Sequence, residues 1–162
     1  MIGIIDYGSG NIQAIRNIYK RLKIRTFIIR EPQEVALATK LILPGVGAFD
    51  EAIGKLDESG LRSALDKAVL QNKIPVMGIC VGMQIMADSS EEGTLKGLGW
   101  ISGSVKRFDI NQIDFVPKLP HMGWNDISSS EHPIFDGIDK NIGFYFLHSY
   151  FFKADKKKDV IA

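Results

Sequence analysis

The sequence predicts an α/β fold with three layers, in which helices flank an open, mostly parallel sheet and antiparallel strands are added at one edge. Two observations support this prediction. In the first half of the chain, short apolar runs alternate with segments of helical period, which is the pattern of βαβ units with right-handed crossovers. From about residue 97 the apolar segments become rich in glycine and aromatic residues, which indicates the antiparallel strands. We expect one domain over residues 1–162.

The first βα unit is predicted at the N-terminus. Residues 2–5 have the composition of a short strand, and residues 6–11 (Asp-Tyr-Gly-Ser-Gly-Asn) have that of a turn. A helix should follow, and Asn11 is a suitable N-cap for it. The apolar face of this helix has spacings of three and four residues and is formed by Ile12, Ile15, Tyr19 and Leu22.

Two more strands and a helix are predicted before residue 73. The strands are residues 26–29 and residues 41–43, and the Pro-Gly pair at 44–45 ends the second of them. The helix should end near Asn72. Its apolar face is formed by Leu61, Leu65 and Val69.

The remaining strand predictions differ in kind. Residues 74–79 form a continuous apolar run, which is typical of a strand buried on both faces of a parallel sheet. Residues 99–105 and 143–150 are the candidates for the antiparallel additions.

The composition excludes several classes of protein. The chain has 45% apolar and 24% charged residues and a formal net charge of +1, so it has no general attraction to nucleic acid or to acidic membranes. A single cysteine cannot form an internal disulfide, and the N-terminus lacks the pattern of a signal peptide. No His, Cys or carboxylate cluster has metal-ligand spacing. We expect a soluble cytoplasmic protein without metal or cofactor.

The single cysteine lies in the most informative motif. Residues 78–82 (Gly-Ile-Cys-Val-Gly) follow the apolar run and precede a predicted helix. Glycines on both sides of a nucleophile allow a sharp strand-to-helix turn, because larger side chains would collide with the neighbouring strand and helix. Such a turn exposes Cys80 at the carboxyl edge of the sheet, where open α/β sheets place their sites. We interpret Cys80 as a nucleophile, although a buried structural cysteine is the alternative.

A glycine-rich loop could complete this site. Residues 44–49 (Pro-Gly-Val-Gly-Ala-Phe) directly follow a strand, and their glycines permit unusual peptide orientations. The peptide between Val46 and Gly47 could direct an N–H group at a developing oxyanion, together with the N–H of Val81. An ordinary glycine-rich turn explains the loop equally well.

Two other features carry weaker signals. The turn at residues 6–11 resembles a dinucleotide loop, but Gln13 stands where the third glycine is needed, so the fingerprint fails. The histidines are the natural bases for a thiol. His132 should lie in an inert surface loop, whereas His121 and His148 could each approach the sheet edge, with a structural role as the alternative.

Several segments together resemble one family. The chain is similar, over nearly its whole length, to the glutamine amidotransferase subunits of imidazole glycerol phosphate synthases, which are class I amidotransferases of flavodoxin-like fold. The motif around Cys80 alone indicates class I, and the segments at residues 120–125 and 145–150 narrow the resemblance to this subunit type. The matching segments are residues 6–11, 44–49, 78–84, 90–93, 97–99, 120–125 and 145–150.

The resemblance implies a mechanism. Cys80 would attack the side-chain amide of glutamine, with the Val46–Gly47 peptide and the Val81 N–H as oxyanion hole. Ammonia would pass to a (β/α)₈-barrel cyclase partner that forms imidazole glycerol phosphate in histidine biosynthesis. The residues implied to hold glutamine are Gln84, Glu92, Ser149 and Tyr150. The residues implied to face the partner are Asn11, His121, Met122 and Trp124.

One departure from the family pattern concerns the base. In the family, a histidine and, two residues later, a glutamate follow a few dozen residues after the position of His148, and this chain does not contain them. Residues 158–162 have the composition of the beginning of a strand, and we expect the chain to lack a C-terminal part of the domain. Two alternatives stay open: a paralogue that supplies ammonia to a surface-polysaccharide sugar, and a non-catalytic module that docks on the barrel and regulates it.

Overall fold

The computed structural model describes residues 1–114, 119–139 and 142–162. Within these ranges the chain forms nine strands: β1 (Ile2–Ile5), β2 (Thr26–Ile29), β3 (Lys40–Gly45), β4 (Val76–Cys80), β5 (Ser89–Ser90), β6 (Gly103–Arg107), β7 (His121–Asn125), β8 (Phe144–His148) and β9 (Tyr150–Ala154). The α-helices of the same ranges are α1 (Ile12–Arg21), α2 (Phe49–Glu58), α3 (Arg62–Asp66) and α4 (Val81–Gln84).

The main sheet has four parallel strands in the order β2-β1-β3-β4. Ile2 lies opposite both Thr26 and Lys40, and Gly45 lies opposite Cys80. The predicted α/β class and parallel sheet are therefore confirmed, and the bounds of β1 and β2 are those predicted from the apolar runs.

Period-two alternation divides the side chains of the main sheet between two cores, as the predicted three layers require. On one face, α1 packs over a small core built from Ile4, Ile12 and Ile42. On the other face, α2 and α3 cover a larger core. Its fully buried members include Ile5, Leu41, Leu43, Phe49, Ile53, Leu56, Leu61 and Leu65.

The prediction that residues 74–79 are buried on both faces is wrong. The strand begins at Val76, and Met77 has 56% of its surface exposed. The physical reason is position, since β4 is the edge strand of the described sheet. Composition specifies an apolar strand but does not specify which neighbours cover it.

The helix predictions are mostly confirmed. The Asn11 side chain accepts a hydrogen bond from the N–H of Ala14 at 3.0 Å and caps α1. Leu22, however, lies just past the end of α1 and is 61% exposed, so it is not part of the buried face. The second predicted helix is α3 continued by a π-helical turn (Lys67–Gln71), and Asn72 is its C-cap, as predicted. None of the described helices is long and apolar enough to cross a membrane.

The antiparallel strands exist but form small sheets of their own. The described strands pair as a mixed three-stranded sheet, β5-β6-β9, and an antiparallel hairpin, β7-β8. In the mixed sheet, β5 is parallel to β6, and β6 is antiparallel to β9. The first predicted segment forms a strand only from Gly103, and the second is divided at Ser149 into β8 and β9. Residues 158–162 do not begin a strand, because a 3₁₀ turn forms at Lys157–Asp159 and the carbonyl of Ile161 instead accepts a hydrogen bond from the N–H of Ser130.

Candidate active site

The candidate nucleophile and the glycine-rich loop meet at the carboxyl edge of the main sheet. Gly45 ends β3 directly opposite Cys80 at the end of β4. Because both strands run in the same direction, the loop that begins at Val46 and the turn after Cys80 leave the sheet side by side. The sulfur and the predicted oxyanion loop therefore lie at one edge, as the sequence predicted.

The backbone of Cys80 adopts a strained conformation. Its φ is 56° and its ψ is −123°, a left-handed conformation that residues other than glycine rarely adopt. Such strain persists only where the surrounding structure enforces it, and it is concentrated at functional sites. Cys80 is also exposed and forms no disulfide. A strained, exposed thiol at a strand end is the arrangement of a nucleophile and is unlike that of a structural core cysteine.

The two glycines that flank the cysteine are sterically required. A Cβ atom at Gly78 would overlap the backbone of Met83, and one at Gly82 would overlap the carbonyl oxygen of Leu43 in β3. Both contacts are with backbone, which cannot move aside as a flexible side chain can. The steric reason given for the glycine pattern is confirmed.

The helix after the cysteine is shorter than the sequence suggested. α4 is one turn, Val81–Gln84. Val81 is its first residue, so its N–H has no carbonyl partner within the helix. This N–H remains the predicted second oxyanion donor. Gln84, predicted to hold glutamine, is buried at the end of the same turn.

The turn at residues 6–11 supports the glycine-rich loop. The Tyr7 hydroxyl donates to the carbonyl of Pro44 at 2.7 Å. The Ser9 hydroxyl accepts from the N–H of Val46 at 3.0 Å and donates to the carbonyl of Val46 at 3.1 Å. Burial raises the pKa of Tyr7 above its usual value, against the opposing effect of its hydrogen bond with Ser9, so the hydroxyl stays protonated as a donor. Sequence reasoning missed both roles.

These contacts fix the peptide that was predicted to bind the oxyanion. The Val46 carbonyl, which Ser9 holds, and the Gly47 N–H belong to the same peptide plane. Gly47 has φ +90°, which glycine adopts without strain. Turning this peptide over would break the hydrogen bond between the Ser9 hydroxyl and the Val46 carbonyl. Ser9 therefore restricts the orientation of the candidate oxyanion donor.

Glu92 connects a second loop to the same region. Its carboxylate accepts from the N–H of Phe49, the first residue of α2, at 2.9 Å. The loop after Glu92 is held by Asp50, whose carboxylate accepts hydrogen bonds from the N–H groups of Thr94 and Leu95 at 2.8 and 3.0 Å. The hydrogen bond from Thr94, more than that from Leu95, keeps the pKa of Asp50 below its usual value. The glutamine-binding role of Glu92 stays a prediction.

The other two residues predicted to hold glutamine lie at the beginning of β9 and directly before it. Ser149 separates β8 from β9, and its carbonyl accepts from the N–H of Phe108 at 3.2 Å. Tyr150 begins β9 opposite Arg107 and packs against the larger core. Strand β5 of the three-stranded sheet leads directly into Glu92, which connects the sheet to the nucleophile region.

Two of the four residues predicted to face the partner, Met122 and Trp124, lie in an exposed apolar patch, whereas His121 lies on the opposite face of the hairpin. On one face of the β7-β8 hairpin, Met122 lies opposite Leu147 and Trp124 lies opposite Tyr145. Each of these four side chains has more than half of its surface exposed, and the rings of Trp124 and Tyr145 meet edge to face, 5.8 Å apart. We call these four residues the hairpin patch. Asn11, which was also predicted to face the partner, is exposed and lies outside the hairpin patch; its side-chain oxygen caps α1.

The histidines are engaged with neighbours. His121 and His148 face each other across the hairpin with 3.0 Å between Nδ1 and Nε2. His132 accepts a hydrogen bond from the N–H of Ile134 at its own 3₁₀ turn, which agrees with the prediction of a surface loop. Within the described ranges, no three His, Cys, Asp or Glu side chains are placed to hold a metal ion together.

Comparisons with known proteins agree with this geometry. The family model of class-I glutamine amidotransferases matches residues 3–162. A solved structure of a glutamine amidotransferase superposes on 96% of this chain and 75% of its own length, with a TM-score of 0.68 at 18% sequence identity. A likeness at that identity shows the fold alone.

Sequence relatives are more specific. The imidazole glycerol phosphate synthase subunit HisH of Leptospira interrogans is 49% identical, over 100% of this chain and 80% of its own. The HisH subunit of Bdellovibrio bacteriovorus is 52% identical over 95% and 76%, and HisH 2 of Pseudomonas aeruginosa is 43% identical over 99% and 79%. The chain belongs to the class-I glutamine amidotransferase family, in the group of the HisH subunits of imidazole glycerol phosphate synthase.

Proposed function

We propose that this chain is a glutaminase subunit that hydrolyses L-glutamine to glutamate and ammonia, and that it supplies the ammonia to a (β/α)₈-barrel cyclase making imidazole glycerol phosphate in histidine biosynthesis. The observation that carries the proposal is Cys80, a strained and exposed cysteine beside a supported glycine-rich loop. The names of the HisH relatives supply the reaction to which the ammonia is delivered.

The reaction has two steps. The Cys80 sulfur forms a bond to the side-chain amide carbon of glutamine, and the carbonyl oxygen becomes an oxyanion facing the N–H groups of Gly47 and Val81. The carbon–nitrogen bond then breaks, and the nitrogen takes a proton and leaves as ammonia. Water attacks the resulting thioester, which releases glutamate and regenerates the thiol.

Proton transfer in both steps requires a general base. The ring nitrogens of His121 and His148 already have hydrogen-bond partners within this part of the chain, so the structure does not favour either histidine as this base. We therefore keep the assignment that the resemblance implies, in which the base is a histidine followed two residues later by a glutamate.

The hairpin patch supports an association with a partner. Exposed aromatic and aliphatic side chains on one face of a two-stranded hairpin are unusual on a surface that stays in water. Trp and Tyr are also the residues that contribute most to interface stability. We propose that the barrel docks on this patch. A reducing cytoplasm suits the proposed site, because the reacting cysteine must remain a free thiol.

Glutamine and ammonia should be interchangeable nitrogen sources for the cyclase. With the barrel and its nucleotide substrate, we expect the complete protein to release one glutamate per imidazole glycerol phosphate formed. Ammonium salt in place of glutamine should support the cyclase without this subunit. Both products are measured by chromatography in one assay.

The same assay decides between acceptors. Glutamate release without imidazole glycerol phosphate, but with amination of a polysaccharide sugar by another synthase, would support the paralogue. This outcome is tested because the numbered name of the Pseudomonas relative, HisH 2, indicates that one organism can have more than one such subunit. Barrel binding without glutamate release would support the regulatory module and overturn the proposal.

Trp124→Ala should weaken the association with the barrel. Trp124 is the most exposed member of the hairpin patch, at 67%, and removing a central aromatic from an interface typically costs about 2 kcal/mol, or roughly 30-fold in Kd. Titration calorimetry measures the change. Ile18→Ala is the matched control, because Ile18 is an equally apolar exposed residue on α1; equal losses in both variants would show that the patch is not the interface.

A further inference from the structure

A chain of hydrogen bonds runs through the two histidines of the hairpin. The Asn125 amide nitrogen lies 2.7 Å from Nε2 of His121. Nδ1 of His121 lies 3.0 Å from Nε2 of His148, and Nδ1 of His148 lies 2.8 Å from the carbonyl oxygen of Tyr150. The chain of hydrogen bonds therefore begins beside the hairpin patch and ends at Tyr150, the first residue of β9.

The chemistry of the two ends determines the direction of every bond. An amide NH₂ group can only donate, so Nε2 of His121 must accept. A neutral His121 then carries its proton on Nδ1 and donates it to Nε2 of His148. That leaves the proton of His148 on Nδ1, where it is donated to Tyr150, whose carbonyl can only accept. Four ring nitrogens and two protons satisfy the whole chain.

No other neutral arrangement satisfies both ends. With the protons on Nε2, His121 would present an N–H to the Asn125 NH₂ group, and His148 would present a lone pair to the Tyr150 carbonyl. Rotating the Asn125 amide repairs only the first of these contacts. A partly buried polar group without a partner is costly, so the ring tautomers are fixed.

Aromatic rings pack around the two histidines. Phe146 stacks on His121 with ring centroids 4.9 Å apart, and Phe108 approaches His148 edge-on at 5.2 Å. Phe108 also stacks on Phe151. These ring contacts on several sides of the pair restrict the orientation of both imidazoles.

We propose that His121 and His148 form a directional hydrogen-bond relay. It couples the hairpin proposed to face the partner to the backbone carbonyl of Tyr150, a residue proposed to hold glutamine. A displacement of Asn125 removes the donor to Nε2 of His121, and the weakened hydrogen bonding is passed through His148 to the Tyr150 carbonyl. Both histidines are positioning residues in this relay. What the two ends contact rests on the proposed function, whereas the tautomers themselves do not.

The relay is tested by nitrogen-15 NMR of the imidazole rings in the complete protein at mildly alkaline pH. We expect both histidines as the Nδ1–H tautomer, which is the minor form of free histidine. Asn125→Asp places an acceptor opposite Nε2 of His121, so both ends of the chain then accept and no neutral tautomer pair satisfies both of them. The ring-nitrogen shifts of both His121 and His148 should therefore change. Asn17→Asp on the exposed face of α1 introduces the same charge and should change neither ring.

Two results would overturn the relay: an Nε2–H tautomer on either ring of the wild type, or His148 shifts that stay constant in Asn125→Asp. A kinetic arm tests the coupling. At a saturating concentration of the barrel, Asn125→Asp should raise the KM for glutamine about tenfold while kcat changes less. An unchanged KM would refute coupling between the relay and the residues proposed to hold glutamine. Absence of glutaminase activity in the wild type would instead count against the proposed function, since the NMR readout needs no turnover.

Discussion

Cys80→Ala is expected to abolish glutamine hydrolysis by the complete protein while leaving the association with the barrel intact. Removing the nucleophile of a covalent mechanism costs on the order of 10⁴-fold or more in kcat, because the remaining groups cannot form the thioester. The cyclase reaction with ammonium salt should keep its wild-type rate, since ammonia does not pass through the thioester. The measurements are glutamate release, titration calorimetry with the barrel, and the ammonia-driven rate.

The matched control is Met77→Ala. Met77 lies on the same edge strand, three residues before the nucleophile, and its side chain is exposed. The Met77→Ala variant should therefore retain glutaminase activity within about threefold, because replacing an exposed side chain removes no buried contact. Persistent glutaminase activity in Cys80→Ala would refute the nucleophile assignment, and equal losses in both variants would indicate that β4 tolerates no change.

Local patterns were enough to predict the parts of the site that depend on local sterics. Short apolar runs predicted β1 and β2, and the residue type of Asn11 predicted the cap of α1. The glycines around Cys80 predicted its turn, because the collision they avoid involves the adjacent strand and helix. For such features, the residues that determine the structure are neighbours in sequence or in an expected βα unit.

Contacts between distant segments could not be predicted in the same way. Ser9 and Val46 are 37 positions apart, and Glu92 and Phe49 are 43 apart. The sequence predicted no role for the turn at residues 6–11 in supporting the glycine-rich loop. A small hydroxyl residue between two glycines, Ser9, was an available signal for that role. The His121–His148 pair likewise depends on the register of a hairpin that no periodicity specifies.

Burial of β4 failed for a related reason. A continuous apolar run indicates that a strand can be buried on both faces. Whether helices and neighbouring strands cover it depends on its place in the strand order, which the run does not specify. β4 is last in the order β2-β1-β3-β4. Cys80 is therefore positioned from one side of β4 only, by β3 and the turn α4. The close packing of α4 against β3 at Gly82 should determine the position of the thiol.

Gly82→Ala tests that contact and should destabilise the protein strongly. The added methyl group would overlap the Leu43 carbonyl oxygen in β3, so β3 and α4 must separate or α4 must unwind. Forcing an extra carbon into close-packed backbone costs about 3 kcal/mol, which corresponds to a decrease in Tm of roughly 6–12 °C for a chain of this size. Urea unfolding and calorimetry measure both quantities, and glutaminase activity should fall with the displaced thiol.

Gly54→Ala distinguishes this collision from a general effect of replacing glycine. Gly54 lies within α2 and has no atom within 4 Å of an added Cβ, and alanine in a helix interior is favoured over glycine by about 1 kcal/mol. The control should therefore raise the free energy of unfolding, opposite in sign to Gly82→Ala. If Gly82→Ala unfolds at the wild-type urea concentration and keeps its activity, then the contact between α4 and β3 does not position Cys80, and the strained backbone of the cysteine must be maintained by other interactions.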